Sequence, residues 1–155
     1  MKSTLFFITI LSLLLAGCSS PYFEFDTVSH YAIHEKYVDP QIGQDIPALA
    51  ATNSIPEFDA DFENKIKSCY VFKSDLDAPA TEKIRKIYRS KIVSQESAME
   101  SPQLYEHFLV FKKDGAITGA SKISFGSQKD ITLTQFRESE HIDMDDFDAL
   151  EAQLE

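Results

Sequence analysis

The sequence predicts an α+β domain: a small antiparallel sheet with helices packed on one face, in the order β-α-β-β-β-α after an irregular N-terminal segment. Three observations carry this. Asp114-Gly115 separates the extended runs LYEHFLVFKK and AITGASKISF, and a two-residue hairpin turn needs positive φ at both positions, which Asp and Gly tolerate. Ile84, Ile87, Tyr88 and Ile92 fall on a single stripe at helical spacing. SCYVFK and ITLTQF are short runs rich in β-branched and aromatic residues, the first bounded by the turn-like SDLDAP.

The elements follow in order. HYAIHEKY reads as two helical turns, and DPQIGQDIP as a loop broken by Pro40, Gly43 and Pro47. Within PEFDADFENKI, Phe58, Phe62 and Ile66 recur at i, i+4 and i+8, the pattern of a short helix. SCYVFK is the first strand. Asp77 then caps a helix running from Pro79 to about Val93, with Pro in the first turn, where its missing N–H is harmless. Pairing Lys113 with Ala116 across the turn sets Phe111 opposite Thr118, Val110 opposite Gly119 and Leu109 opposite Ala120. Large residues then face small ones, so a packed helix is expected over the second strand. ITLTQF supplies the fourth and last strand. In the terminal helix, IDMDDFDALEAQLE, Asp143 is the expected cap, and Phe147, Leu150 and Leu154 form the buried stripe. Asp145, Asp146 and Asp148 point away from that stripe and are the candidate partner-binding residues.

The N-terminus reads MKSTLFFITILSLLLAGC. One basic residue, Lys2, precedes an apolar core of roughly a dozen residues, the length of a signal-peptide h-region and too short for the roughly 20 that cross a bilayer. The run ends in Leu15-Ala16-Gly17-Cys18, which resembles the lipobox of bacterial lipoproteins at all four positions. The resemblance covers only this leader. It implies removal of residues 1–17, lipidation of Cys18 by a diacylglyceryl group, and further acylation of the new amino terminus. It also implies sorting to the outer membrane, because Ser19 rather than Asp follows the Cys. A single acyl chain holds a protein only marginally, whereas two or more anchor it stably. The expected organisation is then a removed leader over 1–17, a lipidated irregular segment over 18–64 packed on the domain, and an α+β domain over 65–155. Tyr22, Phe23 and Phe25 follow Cys18 closely, and three aromatics in four residues are costly to leave in water. They are expected to pack on the domain and hold it close to the bilayer.

Composition limits the partners. The chain has 155 residues and a net charge of −10, which loss of Lys2 with the leader makes more acidic still. That argues against nucleic acid, whose phosphates require clustered Lys and Arg, and against lying flat on anionic lipid. A basic protein partner is permitted. With Cys18 lipidated, Cys69 is left without a disulfide partner and is read as a buried small hydrophobe.

The residues that could carry chemistry lack the required spacing. His30 and His34 stand four apart with Glu35 following, yet no HExxH arrangement or third ligand accompanies them. Asp59, Asp61 and Glu63, and again Asp143, Asp145 and Asp146, resemble calcium-binding acid runs. An EF-hand needs Gly at position six and Glu at twelve, and the residues there are Asn64 and Tyr70, or Asp148 and Leu154. GASKI places Ser121 within a strand and Ile123 where a nucleophile elbow needs Gly. The reading is therefore no enzyme, no cofactor and no metal. The expected function is a membrane-anchored envelope lipoprotein that binds another protein as an accessory module. The alternative is a periplasmic immunity or inhibitor protein, whose acidic surface would steer a basic toxin.

Overall fold

A computed structural model describes residues 23–38, 46–88, 104–134 and 146–155. Among the described residues five strands form one sheet in the spatial order β2-β1-β3-β4-β5, every neighbouring pair antiparallel. They are β1 (Thr27–Ile33), β2 (Tyr70–Asp75), β3 (His107–Lys113), β4 (Ala116–Ser124) and β5 (Lys129–Thr134). Among the described residues four short helices accompany them: α1 (Ala48–Ala51), α2 (Phe62–Lys67), α3 (Ala78–Ile87) and α4 (Phe147–Glu151). The fold is a small α+β fold, as its sequence predicts.

The segment expected as two helical turns is instead β1, an interior strand of the sheet. In TVSHYAI, Val28 and His30 point to one face while Ser29, Tyr31 and Ile33 point to the other. Six of these seven positions are β-branched, aromatic or polar residues that sit well on a pleated surface. Pairing to β2 on one side and β3 on the other outweighs the weak helical signal of HYAIHEKY, of which only Glu35–Tyr37 forms a 3-10 turn. The sheet therefore draws a strand from the 18–64 segment, across the expected boundary at 64/65.

Each face of the sheet carries its own core. On the first, α3 and α4 cover Val28, Leu109, Phe111 and Ile123 with Ile84, Ile87, Tyr88, Phe147 and Leu150, joined by Phe23 and Phe25. Asp77 caps α3 as expected, its side chain accepting from the Ala80 N–H at 2.8 Å. The expected extension of that helix to Val93, with Ile92, lies outside the described residues. On the second face, Ala50, Phe62 and Ile66 from α1 and α2 pack on Tyr31, Ile33, Phe108, Val110 and Ala120, with Phe58 partly buried beside them. The Phe58-Phe62-Ile66 stripe is thus real, although the regular helix begins only at Phe62.

The hairpin turn is where its sequence places it: Lys113 pairs with Ala116, and Asp114 and Gly115 have φ of 49° and 80°. Beyond it the register differs from the expected one. A bulge leaves Thr118 without an opposite number, so Phe111 pairs with Gly119, Val110 with Ala120 and Leu109 with Ser121. The space above Gly119 is filled by Phe23, not by a helix. A Cβ built on Gly119 would lie 3.0 Å from the Phe23 ring and 3.2 Å from the Leu133 carbonyl oxygen. An aromatic from the N-terminal segment thereby uses the gap that Gly119 leaves.

Candidate functional site

Cys18 and its lipobox lie outside the described residues, as does Asp145. Of the terminal acids, Asp148 is exposed and Asp146 half-buried at the start of α4, where it occupies the cap position without a side-chain capping bond. The helix is shorter than the expected run, and the expected cap at Asp143 lies outside the described residues. Phe147 and Leu150 are buried and Leu154 packs against the same cluster, so the apolar stripe stands as its spacing predicts.

The first acid run is occupied by local partners. Asp59 accepts from Lys65 Nζ at 2.6 Å and from the Asp61 N–H at 3.0 Å; Asp61 accepts from Asn64 Nδ2 at 2.9 Å. Glu63 is bridged to Lys67 and, at 3.0 Å, to Lys112 on β3. These hydrogen bonds from lysine hold the carboxyls of Asp59 and Glu63 below their ordinary range. Lysine ammonium groups thus already partner Asp59 and Glu63. An open groove of ≈ 460 Å³ runs between Leu49, Pro56, Asp61, Asn64, Lys65 and Ser68. Its volume would suit a small ligand, but Asp61 and Lys65, its charged residues, are already engaged with neighbours.

His30 and His34 do not form a pair. His34 is exposed and its Nδ1 accepts from the Lys36 N–H, capping the 3-10 turn. His30, on β1, points the other way along the sheet and meets His107 of β3, with Nε2 and Nδ1 2.9 Å apart. The ring planes are inclined by only 18° and the centroids are 5.2 Å apart. Those values together describe rings lying end to end in nearly one plane, with one N–H aimed along the other ring's lone pair. They do not describe face-to-face stacking. Desolvation by burial, then the His107 and Lys73 charges, push His30 down to about 4; burial and Lys73 push His107 down as well. Among the described residues no three His, Cys, Asp or Glu side chains converge as a metal site.

Two further polar groups are buried deeply. Lys122 is 0% exposed on β4, yet its Nζ donates to the carbonyls of Leu49, Thr52 and Ser54 and sits 4.7 Å from the centre of the Tyr105 ring. One ammonium thus satisfies three carbonyl groups around the C-terminal end of α1, where the helix dipole is negative. Burial draws Lys122 down to about 8. Ser121 is equally enclosed on the opposite face, linked to Thr132 Oγ1 at 3.0 Å, which reaches Asp130 Oδ2 at 3.1 Å. The carboxylate accepts the single Thr132 hydrogen, so Ser121 donates to Thr132. This orders two strands through a hydroxyl chain and leaves Ser121 enclosed, away from any substrate in solution. Cys69 is 1% exposed, and burial pushes its thiol up, away from the reactive thiolate.

The histidine pair and the lysine were not legible as a site in the sequence. His107 begins the run HFLVF, on the same alternation as Leu109 and Phe111, and that alternation is the signal that could have found it. Its partner was hidden because β1 read as a helix. Compared with known proteins, the chain matches no family model, no curated protein and no solved structure.

Proposed function

We propose that this chain is a bacterial envelope lipoprotein, held by lipid at Cys18, that acts as a non-catalytic protein-binding module on the periplasmic side of the outer membrane. The observation that carries the reading is the leader: a short apolar run ending in Leu15-Ala16-Gly17-Cys18. The packing of the next described residues supports a body close to the bilayer. Phe23 and Phe25 are buried in the first core, and five residues of chain from Cys18 to Phe23 reach at most ~18 Å. The acidic surface suits a basic protein partner.

The test is Cys18→Ser. Wild-type protein should incorporate labelled palmitate and fractionate with membranes; the variant should lose the label and remain as uncleaved or soluble chain. A variant that still fractionates with membranes at mature length sinks the reading. Capture of a specific partner by the acyl-free protein tests the binding half, and a captured toxin would favour the immunity alternative.

A further inference from the structure

We propose that the end-to-end His30–His107 pair is an acid-sensitive latch that governs whether the edge strand β2 stays paired to β1. It stands on the arrangement of three strands. His30 lies at the point where the β1–β2 register slips: His30 pairs with Ser74 and Tyr31 with Phe72, leaving Lys73 as the extra residue of the bulge. His107 reaches His30 from β3, on the other side of β1. The pair therefore bonds the two interior strands directly behind the weakest point of the edge strand. Beyond Tyr70, which is buried in the second core, β2 has few ties among the described residues. Every residue but Tyr70 is exposed, with Val71 at 43% and Phe72 at 47%. Its side-chain ties are the Ser29–Asp75 hydrogen bond of 2.6 Å, the Tyr31–Phe72 ring contact and, at its buried first residue, the Tyr70 hydroxyl donating to the Tyr105 carbonyl with its ring against Phe108.

The charged groups around the pair set the direction of the response. From β2 comes Lys73, whose charge acts on both rings. On the same face, Asp130 of β5 stands across β4 from His107, with Ile123 between them. From α4, Phe147 packs on Phe125 and Phe125 on His107, while Asp148 and Glu151 of that helix are exposed to water. α3 brings Arg85 to Phe25, where Glu82 pairs with it, and Glu106 falls on the opposite face beside Tyr70. Of these, Lys73 and the partner histidine are the ones whose charge reaches His30. Both are positive or become so. Among the described residues no counter-charge acts on that ring to welcome a proton.

Protonation acts in two steps. The first proton keeps the N–H···N contact but leaves a buried cation facing Lys73, so relief comes from moving the bulge and β2 outward. A second proton puts hydrogen on both facing nitrogens and breaks the contact itself. With β2 unpaired, His30 meets water and regains its ordinary value of 6.5, against about 4 in the closed sheet. The open form therefore binds the proton first as pH falls. Between those two values the opening constant rises about tenfold for each pH unit removed.

The experiment is amide hydrogen exchange followed by NMR, expressed as protection factors so that intrinsic pH dependence divides out, together with titration of the histidine ring protons. Between pH 6.5 and 4.5, protection at Phe72–Asp75 should fall about tenfold per unit while β3 and β4 hold theirs. Lys73→Gln, an exposed change, should raise the closed-sheet value of His30 and so make the loss of protection smaller, most clearly at the low-pH end. His30→Gln with His107→Gln should make β2 protection independent of pH. The proposal is overturned if β2 protection is unchanged across this range, or if β1, β3 and β4 lose protection in step with β2. It is equally overturned if either native histidine titrates at its ordinary value in the closed sheet.

Discussion

Lys122 shows how a charged side chain can be a structural part of a core. Its three carbonyl acceptors surround the end of a helix only four residues long, which would otherwise present several bare carbonyls to an apolar face. Lys122→Met keeps much of the volume but leaves those carbonyls without their donor. It should cost on the order of 3 kcal/mol, measured by chemical denaturation, with the loss of α1 docking seen first. Cys69 makes the contrasting case. Its buried thiol should react slowly with a thiol reagent in the folded protein and at once when denatured, and Cys69→Ala should cost about 1 kcal/mol. Cys69 was legible in SCYVF as a small buried residue. Lys122 was not, because alternation assigns a polar residue between Ser121 and Ile123 to a solvated face, and that assignment fails when a helix from a distant segment covers the face.

Among the elements, the hairpin was the most readable and the first strand the least. Asp114-Gly115 specifies its turn by local sterics alone, so Gly115→Val, at φ of 80°, should destabilise by about 1–3 kcal/mol. The bulge at Thr118 has no such local signature. It exists because Gly119, one residue further on, must lie under the Phe23 ring, a contact 96 positions away in the chain and invisible to periodicity. Gly119→Ala tests this. Its new methyl would meet the ring and the Leu133 carbonyl, and thermal unfolding should show a loss of about 1–3 kcal/mol, relieved in part by Phe23→Leu. β1 was misread for a related reason. TVSHYAI is buried on both faces, so it shows no clean amphipathic alternation, and the short HYAIHEKY stretch admits either period. The helices of the second half were legible since each carries one apolar stripe, and the first of them a side-chain cap at Asp77.

At the scale of the whole molecule, charge and the proposed lipid anchor belong together. The terminal acids Asp145, Asp146 and Asp148 remain the proposed partner-facing group. Changing all three to Asn should slow association with a basic partner at low salt and flatten its salt dependence, leaving the unfolding midpoint nearly unchanged. Unaltered association rates would confine α4 to packing. The place where Phe23 enters the core has a mechanical meaning as well. In a lipid-held protein, any drag on the body or its partner is transmitted through the chain just after Cys18. That pull would meet Phe23 and Phe25, wedged between Gly119, Phe111 and Tyr88, before it could reach β1. Beyond them it would meet an interior strand hydrogen-bonded on both sides. The load is thus carried by a ring wedge and then by two ladders. A tether grafted onto the exposed strand β2 would instead peel the sheet one residue at a time.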